Sequence, residues 1–185
     1  MGFTRNCITP TQDYLIKNIF MEKNNKQVLF CDLDGTLIKT VSGKTFPVDV
    51  FDFQIRKDVL DKIRERRFAE VVIVTNQGGI PEYVTEHDFV AKLKCIETFI
   101  KRYTGAVAYS LYCPSADKNH PDRKPNTGML NKAWACFLTG YDKRQMVMVG
   151  DASGKPGDFS DSDKKCAETF GIDYIDVEDF IKEGV

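Results

Sequence analysis

The chain has 185 residues, with 26 Lys and Arg against 27 Asp and Glu for a formal net charge of −1, and 42% hydrophobic residues. That is the composition of an ordinary soluble domain with a proper core, not of a disordered or collagen-like chain. No apolar run approaches the roughly 18 residues needed to cross a bilayer, no basic-then-apolar leader opens the chain, and near-neutral charge excludes a globally basic nucleic-acid binder, so an intracellular protein of cytoplasm or nucleus is expected.

In chain order, Met1–Pro10 shows no pattern and Thr11–Lys23 reads as an amphipathic helix. Residues 1–25 are taken as a peripheral segment of a single domain spanning 1–185. Val28–Cys31 reads as a buried strand, and Ile38 to Ile55 leaves room only for a short flap around Lys39–Asp52. Ile55–Phe68 reads as a helix through Val59, Leu60 and Ile63, its Lys62-Ile63-Arg64-Glu65-Arg66-Arg67 run being a solvated face. Val71–Val74 is a strand. Thr85–Tyr103 is a helix, with a capping-box-like Thr85-x-x-Asp88 and Phe89, Leu93, Ile96 and Ile100 on one face. Val107–Leu111, Met146–Val149 and Tyr174–Val177 are further strands, while Thr127–Leu138 and Asp163–Phe170 are helices, the last stopped by Gly171. Six scattered cysteines (Cys7, Cys31, Cys95, Cys113, Cys136, Cys166) without a Cys-x-x-Cys suit small buried residues better than a disulfide framework.

Strands alternating with helices predict a parallel sheet covered on both faces, with ligands beyond the carboxyl ends of the strands. Asp32, Thr75 and Asp151 each follow an apolar run, at three equivalent strand ends. Folding alone gives no reason for that placement. Four fragments stand out: Val28 to Ile38 with its Asp32-Leu33-Asp34-Gly35-Thr36, Val74-Thr75-Asn76-Gln77-Gly78-Gly79-Ile80, Arg123-Lys124-Pro125-Asn126-Thr127-Gly128-Met129, and Val149-Gly150-Asp151-Ala152-Ser153-Gly154. A calcium loop does not account for the first, because an EF-hand needs further oxygen ligands and a Glu at position 12, whereas here Thr36-Leu37-Ile38 follows. Gly150 to Pro156 is not a nucleotide phosphate loop: its spacing is short, and Pro156 stands where Ser or Thr is required.

Together these fragments resemble the haloacid dehalogenase (HAD) superfamily of phosphohydrolases, and within it most closely the phosphatase half of polynucleotide kinase 3′-phosphatases, from about Val28 to the C-terminus. The resemblance implies an α/β, Rossmann-like three-layer core with a central parallel sheet and no large cap domain. It makes Asp32 the nucleophile that forms an aspartyl-phosphate and Asp34 the acid that protonates the leaving oxygen and then activates water. Thr75 binds a phosphoryl oxygen, helped by N–H groups around Asn76 and Gln77. Lys124 stabilises phosphoryl charge and restrains Asp32. Gly35 and Thr36 allow the turn beside the substrate, and Arg123 faces either substrate or solvent. Mg²⁺ is implied on Asp32, the main-chain carbonyl of Asp34, and Asp151. Asp158-Phe159-Ser160-Asp161-Ser162-Asp163 is similar to a Lys-Asp-Phe-Ser-x-x-Asp stretch of the polynucleotide phosphatases; Asp158 or Asp163 holds a metal-bound water or orients Lys124, or else caps the helix that starts there.

A site without a large cap stays open, which suits the terminus of a polymer. The implied substrate is a nucleic-acid (DNA) 3′-phosphate end, met by Lys39, Lys44, Lys118 and Arg123 through backbone phosphates, with the enzyme a monomer. The alternative is a small-molecule phosphatase of the histidinol-phosphate or heptose-bisphosphate type. Many of those carry a zinc loop of three Cys and one His, where this chain has only Cys113 and His120, too few to close a tetrahedral site. A binding module on a dead phosphatase fold is the reading from another class, and the filled catalytic positions argue against it.

Overall fold

The computed structural model describes residues 26–44 and 47–182. The expected Thr11–Lys23 helix and Cys7 lie outside them. Five parallel strands, β1 (Val28–Cys31), β4 (Glu70–Asn76), β5 (Val107–Cys113), β6 (Met146–Gly150) and β7 (Asp173–Asp176), form a sheet in the order β5-β4-β1-β6-β7. A second, antiparallel pair joins β2 (Ile38–Lys39) to β3 (Gln54–Ile55). The helices are α1 (Lys57–Arg66), α2 (Glu86–Thr104), α3 (Gly128–Cys136), α4 (Ser162–Phe170) and α5 (Val177–Lys182).

Each strand of the sheet distributes its side chains to two cores because successive residues face opposite sides. Leu29, Cys31, Val71, Ile73, Val147 and Val149 pack with α1, α2 and α5 through Leu60, Ile63, Phe89, Ile96 and Phe180. Val28, Phe30, Val72, Val74, Met146 and Met148 pack with α3 and α4 through Leu130, Ala133, Cys166 and Phe170. The central strand therefore has no polar face, which is why its sequence is an unbroken apolar run. The order of strand addition reverses at β1, with β4 on one side of it and β6 on the other, which makes the carboxyl ends of β1 and β6 the topological switch point where such sheets bind ligands.

Several expected boundaries shift. Ile55 does not begin a helix; it pairs with Ile38 at the root of the flap, and α1 starts at Lys57. The strand expected to end at Val177 ends at Asp176, and Val177 opens the unforeseen helix α5. The basic run of α1 is not wholly solvated. Lys62 is buried against Glu65 at 2.7 Å, and the Arg66 guanidinium lies 5.1 Å from the Phe180 ring centroid. Thr85 caps α2 as expected, accepting the Asp88 N–H at 3.1 Å. Of the described cysteines, Cys31, Cys113 and Cys166 are buried, whereas Cys95 and Cys136 are exposed.

Candidate active site

The first strand delivers the site. Its apolar run buries both faces, so the chain turns sharply at the sheet edge, with Gly35 in the left-handed region at φ 84°. A side chain at Gly35 would also collide with the carboxylate of Asp151, which lies beside the turn. Thr36 is buried and directs its hydroxyl to Asp151 Oδ1 at 3.4 Å, a long contact. Gly150 plays the matching part at the end of β6, where a Cβ would strike the Asp163 carboxyl group. Two glycines thus let three carboxylates converge: ligand oxygens of Asp32, Asp151 and Asp163 lie within 4.8 Å of one another.

Lys124 sits among them, itself buried. Its ammonium is 2.5 Å from Asp32 Oδ1 and 2.7 Å from Asp163 Oδ1. Burial alone would lower the lysine pKa, but the charges of Asp163 and Asp32 more than reverse this and hold it raised. The Asp32 carboxyl is pushed well above the usual range by burial and by the Asp163 and Asp151 charges, against the pull of Lys124. Asp151 keeps an accessible carboxylate at the mouth, yet crowding by protein and the Asp163 charge push it up to about 6. With all three ionised, the carboxylates would exceed the one ammonium by two negative charges, a crowding that a bound cation would relieve. Hard oxygen donors with that charge fit a divalent cation such as Mg²⁺. Asp163 is the least free of the three, because Oδ1 meets Lys124 and Oδ2 accepts the Ala152 N–H at 3.3 Å.

Asn76, the last residue of β4, and Gln77 after it use their side-chain amides to tie site residues together. The Gln77 N–H, expected near a phosphoryl oxygen, is donated to the Cys113 carbonyl at 2.7 Å. Its side-chain amide donates to Asp34 Oδ2 at 2.6 Å and to Thr75 Oγ1 at 2.9 Å, joining two expected site residues. Asn76 clamps the Lys124 main chain, accepting its N–H at 2.9 Å and donating to its carbonyl at 3.0 Å. Arg123 donates Nη1 to the Ser115 carbonyl at 2.7 Å, which holds the loop after β5. Asp158 stays out of the cluster: it accepts from the Ser153 hydroxyl at 2.6 Å and from the Ser153 and Lys155 N–H groups, so it ties its own loop. Asp163 orients Lys124 and does not cap α4, whose N-cap position is Asp161. The sequence reading missed the Asn76 clamp and the Gly150 pocket; the one signal for the second was a glycine immediately before Asp151.

The Cys113 thiol lies 3.4 Å from His120 Nδ1, and among the described residues the pair belongs to no cluster of three metal-ligating side chains. No described helix is long and apolar enough to cross a membrane.

A family model described as polynucleotide kinase 3 phosphatase matches residues 27–181. The chain belongs to this family. Its α/β fold with a central parallel sheet is shared with HAD-like phosphatases of known structure. Among curated relatives, the bifunctional polynucleotide phosphatase/kinase of Schizosaccharomyces pombe is 35% identical over 171 residues, covering 90% of this chain and 40% of that protein. The chain thus spans less than half of that relative. A probable D-glycero-D-manno-heptose-1,7-bisphosphate 7-phosphatase of Thermoplasma volcanium is 29% identical over 72% of this chain and 91% of that one. In three dimensions, a HAD-like phosphatase from Mesorhizobium loti superposes with a TM-score of 0.59 at 27% identity, covering 78% of this chain and 68% of that one.

Proposed function

We propose that this protein is a Mg²⁺-dependent phosphomonoesterase that removes the 3′-phosphate from nucleic-acid ends, DNA in particular, inside the cell. The observation that carries the chemistry is the Lys124 ammonium held between Asp32 and Asp163, with Asp151 beside them and Asp34 tethered by Gln77. A carboxylate attacks a dianionic phosphate only where positive charge offsets the repulsion, and Lys124 puts such a charge against Asp32. In this reading an Asp32 oxygen bonds to phosphorus as the bond from phosphorus to the 3′-oxygen breaks, giving an aspartyl-phosphate. Asp34 gives its proton to the departing 3′-oxygen, then takes one from the water that attacks the same phosphorus, releasing inorganic phosphate and restoring Asp32. Thr75 supplies a hydroxyl to a phosphoryl oxygen, and Gln77 keeps Asp34 and Thr75 in register. Asp32 and Asp151, with the main-chain carbonyl of Asp34, would hold Mg²⁺, which neutralises charge on the phosphoryl group when bound.

The substrate class rests on the family and on the rim. Phe51 and Tyr83 are 82% and 86% exposed, the first on the flap between β2 and β3 and the second on the loop after β4. Lys39 and Lys44 of the flap and Lys118 after β5 are exposed too. Rings for stacking and cations for backbone phosphates suit a polynucleotide end better than a small metabolite. The second reading, a heptose-bisphosphate or histidinol-phosphate phosphatase, draws on the archaeal relative and on the Cys113–His120 pair. The test is Mg²⁺-dependent phosphate release from a 3′-phosphorylated DNA oligonucleotide, beside a 5′-phosphorylated one, histidinol phosphate and a heptose bisphosphate. Release from the 3′-end alone is expected. Preferential release from a metabolite moves the protein to the second reading.

A further inference from the structure

Of the carboxylates gathered at the site, Asp151 is held least by its own side chain. It is exposed, and among the described residues the one side chain bonded to its carboxylate is Thr36, at a long 3.4 Å. Asp163, by contrast, is buried between Lys124 and the Ala152 N–H. The direction of the Asp151 carboxylate is therefore set by the main chain on either side of it. A peptide unit is planar, so the Gly150 carbonyl fixes the orientation of the Asp151 N–Cα bond, and the Ala152 N–H fixes that of its Cα–C bond. Asp163 Oδ2 holds the second plane by accepting the Ala152 N–H at 3.3 Å. The first plane begins at a glycine, whose own backbone rotates freely, so it needs an anchor from outside.

That anchor is the Tyr174 hydroxyl, which donates to the Gly150 carbonyl at 2.8 Å. Tyr174 lies on β7 opposite Met148, and its half-buried ring packs against the core that holds Met146, Met148 and Phe170. The ladder between β6 and β7 reaches its last pair at Gly150 and Asp176, where the chain turns into α5. The hydroxyl thus grips the carbonyl where the sheet stops holding it. For packing alone a phenylalanine would serve; the oxygen adds the bond to Gly150. We propose that Tyr174 is a positioning residue for the cation site: its hydroxyl holds the Gly150–Asp151 peptide so that the Asp151 carboxylate already stands beside Asp32 when a divalent cation arrives, and this preorganisation raises Mg²⁺ affinity. The proposal rests on the reading of Asp32 and Asp151 as Mg²⁺ ligands, and Tyr174 itself touches neither metal nor substrate.

The experiment compares the wild-type chain with Tyr174→Phe, which deletes one oxygen, and with Tyr141→Phe. The second is a matched deletion at the far end of the sheet, where the hydroxyl meets Glu70, the first residue of β4. Three readouts are taken: Mg²⁺ binding to the metal-free chain by titration calorimetry, thermal unfolding without metal, and the Mg²⁺ dependence of phosphate release from the 3′-phosphorylated oligonucleotide. Tyr174→Phe is expected to raise the Mg²⁺ Kd and the Mg²⁺ concentration for half-maximal rate about tenfold, with most of the lost rate regained at saturating Mg²⁺. Its metal-free Tm should fall by no more than about 3 °C, the effect of one hydrogen bond. Tyr141→Phe should leave the Kd unchanged. A Mg²⁺ Kd no weaker in Tyr174→Phe than in Tyr141→Phe makes the hydroxyl a purely structural group and overturns the proposal, whatever the Tm. If the wild type binds Mg²⁺ but releases no phosphate from the oligonucleotide, the substrate reading fails and calorimetry still decides the role of Tyr174. A wild type that binds no Mg²⁺ overturns the metal reading, and the cation role of Tyr174 with it.

Discussion

The floor of the site and the flap over it are built on opposite principles. The floor is made of strand ends, where Asp32 and Asp163 are buried against the shared Lys124 and Gly150 leaves no room for a side chain beside Asp163. The flap hangs from two strands of two residues each, is knotted by one carboxylate, and exposes Val41, Val48 and Phe51. Charge chemistry needs fixed geometry in a low dielectric, and only the sheet edge supplies that. Contact with a large, variable substrate tolerates an exposed element with few packing partners. The contrast teaches where a change should affect rate and where it should affect only substrate handling.

The largest effect should come from the floor. Asp32→Asn keeps the shape and removes the attacking carboxylate, so Mg²⁺-dependent phosphate release should vanish while the circular dichroism spectrum is retained; an unchanged rate would remove Asp32 from the role. Lys124→Met leaves Asp32 and Asp163 facing one another without their shared cation. It should abolish turnover and lower stability at neutral pH by about 3–5 kcal/mol, read by denaturant unfolding. Gly150→Ala tests the close packing alone. The new Cβ would lie 2.7 Å from Asp163 Cγ, and forcing it in should cost about 1–3 kcal/mol, with activity falling because Asp163 no longer holds Lys124 in place.

The smallest and most local effect belongs to the flap. Donors from the Ser42 side chain and the Val48 and Ser42 main chain hold the Asp52 carboxyl down at about 2. For a carboxylate depressed in the folded state, the stabilising contribution is complete above its ordinary value and is lost as pH falls through the depressed one. The flap should therefore loosen between about pH 4 and pH 2, seen as faster peptic cleavage within residues 39–52 than in the sheet. Asp52→Asn should loosen it at neutral pH, read by trypsin at Lys44, with the Tm nearly unchanged. Equal protease resistance in flap and floor across that range would erase the distinction between them.

Much of this was legible in the residues. Val28–Cys31 had to be a central strand because four consecutive apolar residues leave no face for water. Asp32, Thr75 and Asp151 were placed at one edge by the rule that each followed such a run. Thr85 and Gly171 marked helix ends through the backbone groups they satisfy or the left-handed turn they permit. Local chemistry of that kind is written in neighbouring residues. What the sequence could not disclose depends on residues far apart along the chain. Gln77 joins Asp34 to Thr75 and Asn76 clamps Lys124 through their side-chain amides, whereas only main-chain N–H groups around these residues were expected to contribute. Asp163 and not Asp158 reaches Lys124, because the chain from Ser153 closes a loop on Asp158 and then carries α4 back beneath Gly150. Ile55 left its helix for Ile38, and Lys92 was buried beside Phe53 on a helix whose pattern marked only its apolar face. Pattern and spacing determine which residues face a core or end a strand. Which polar groups meet there is decided by packing, since a buried donor or charge takes whatever partner the folded chain brings within reach.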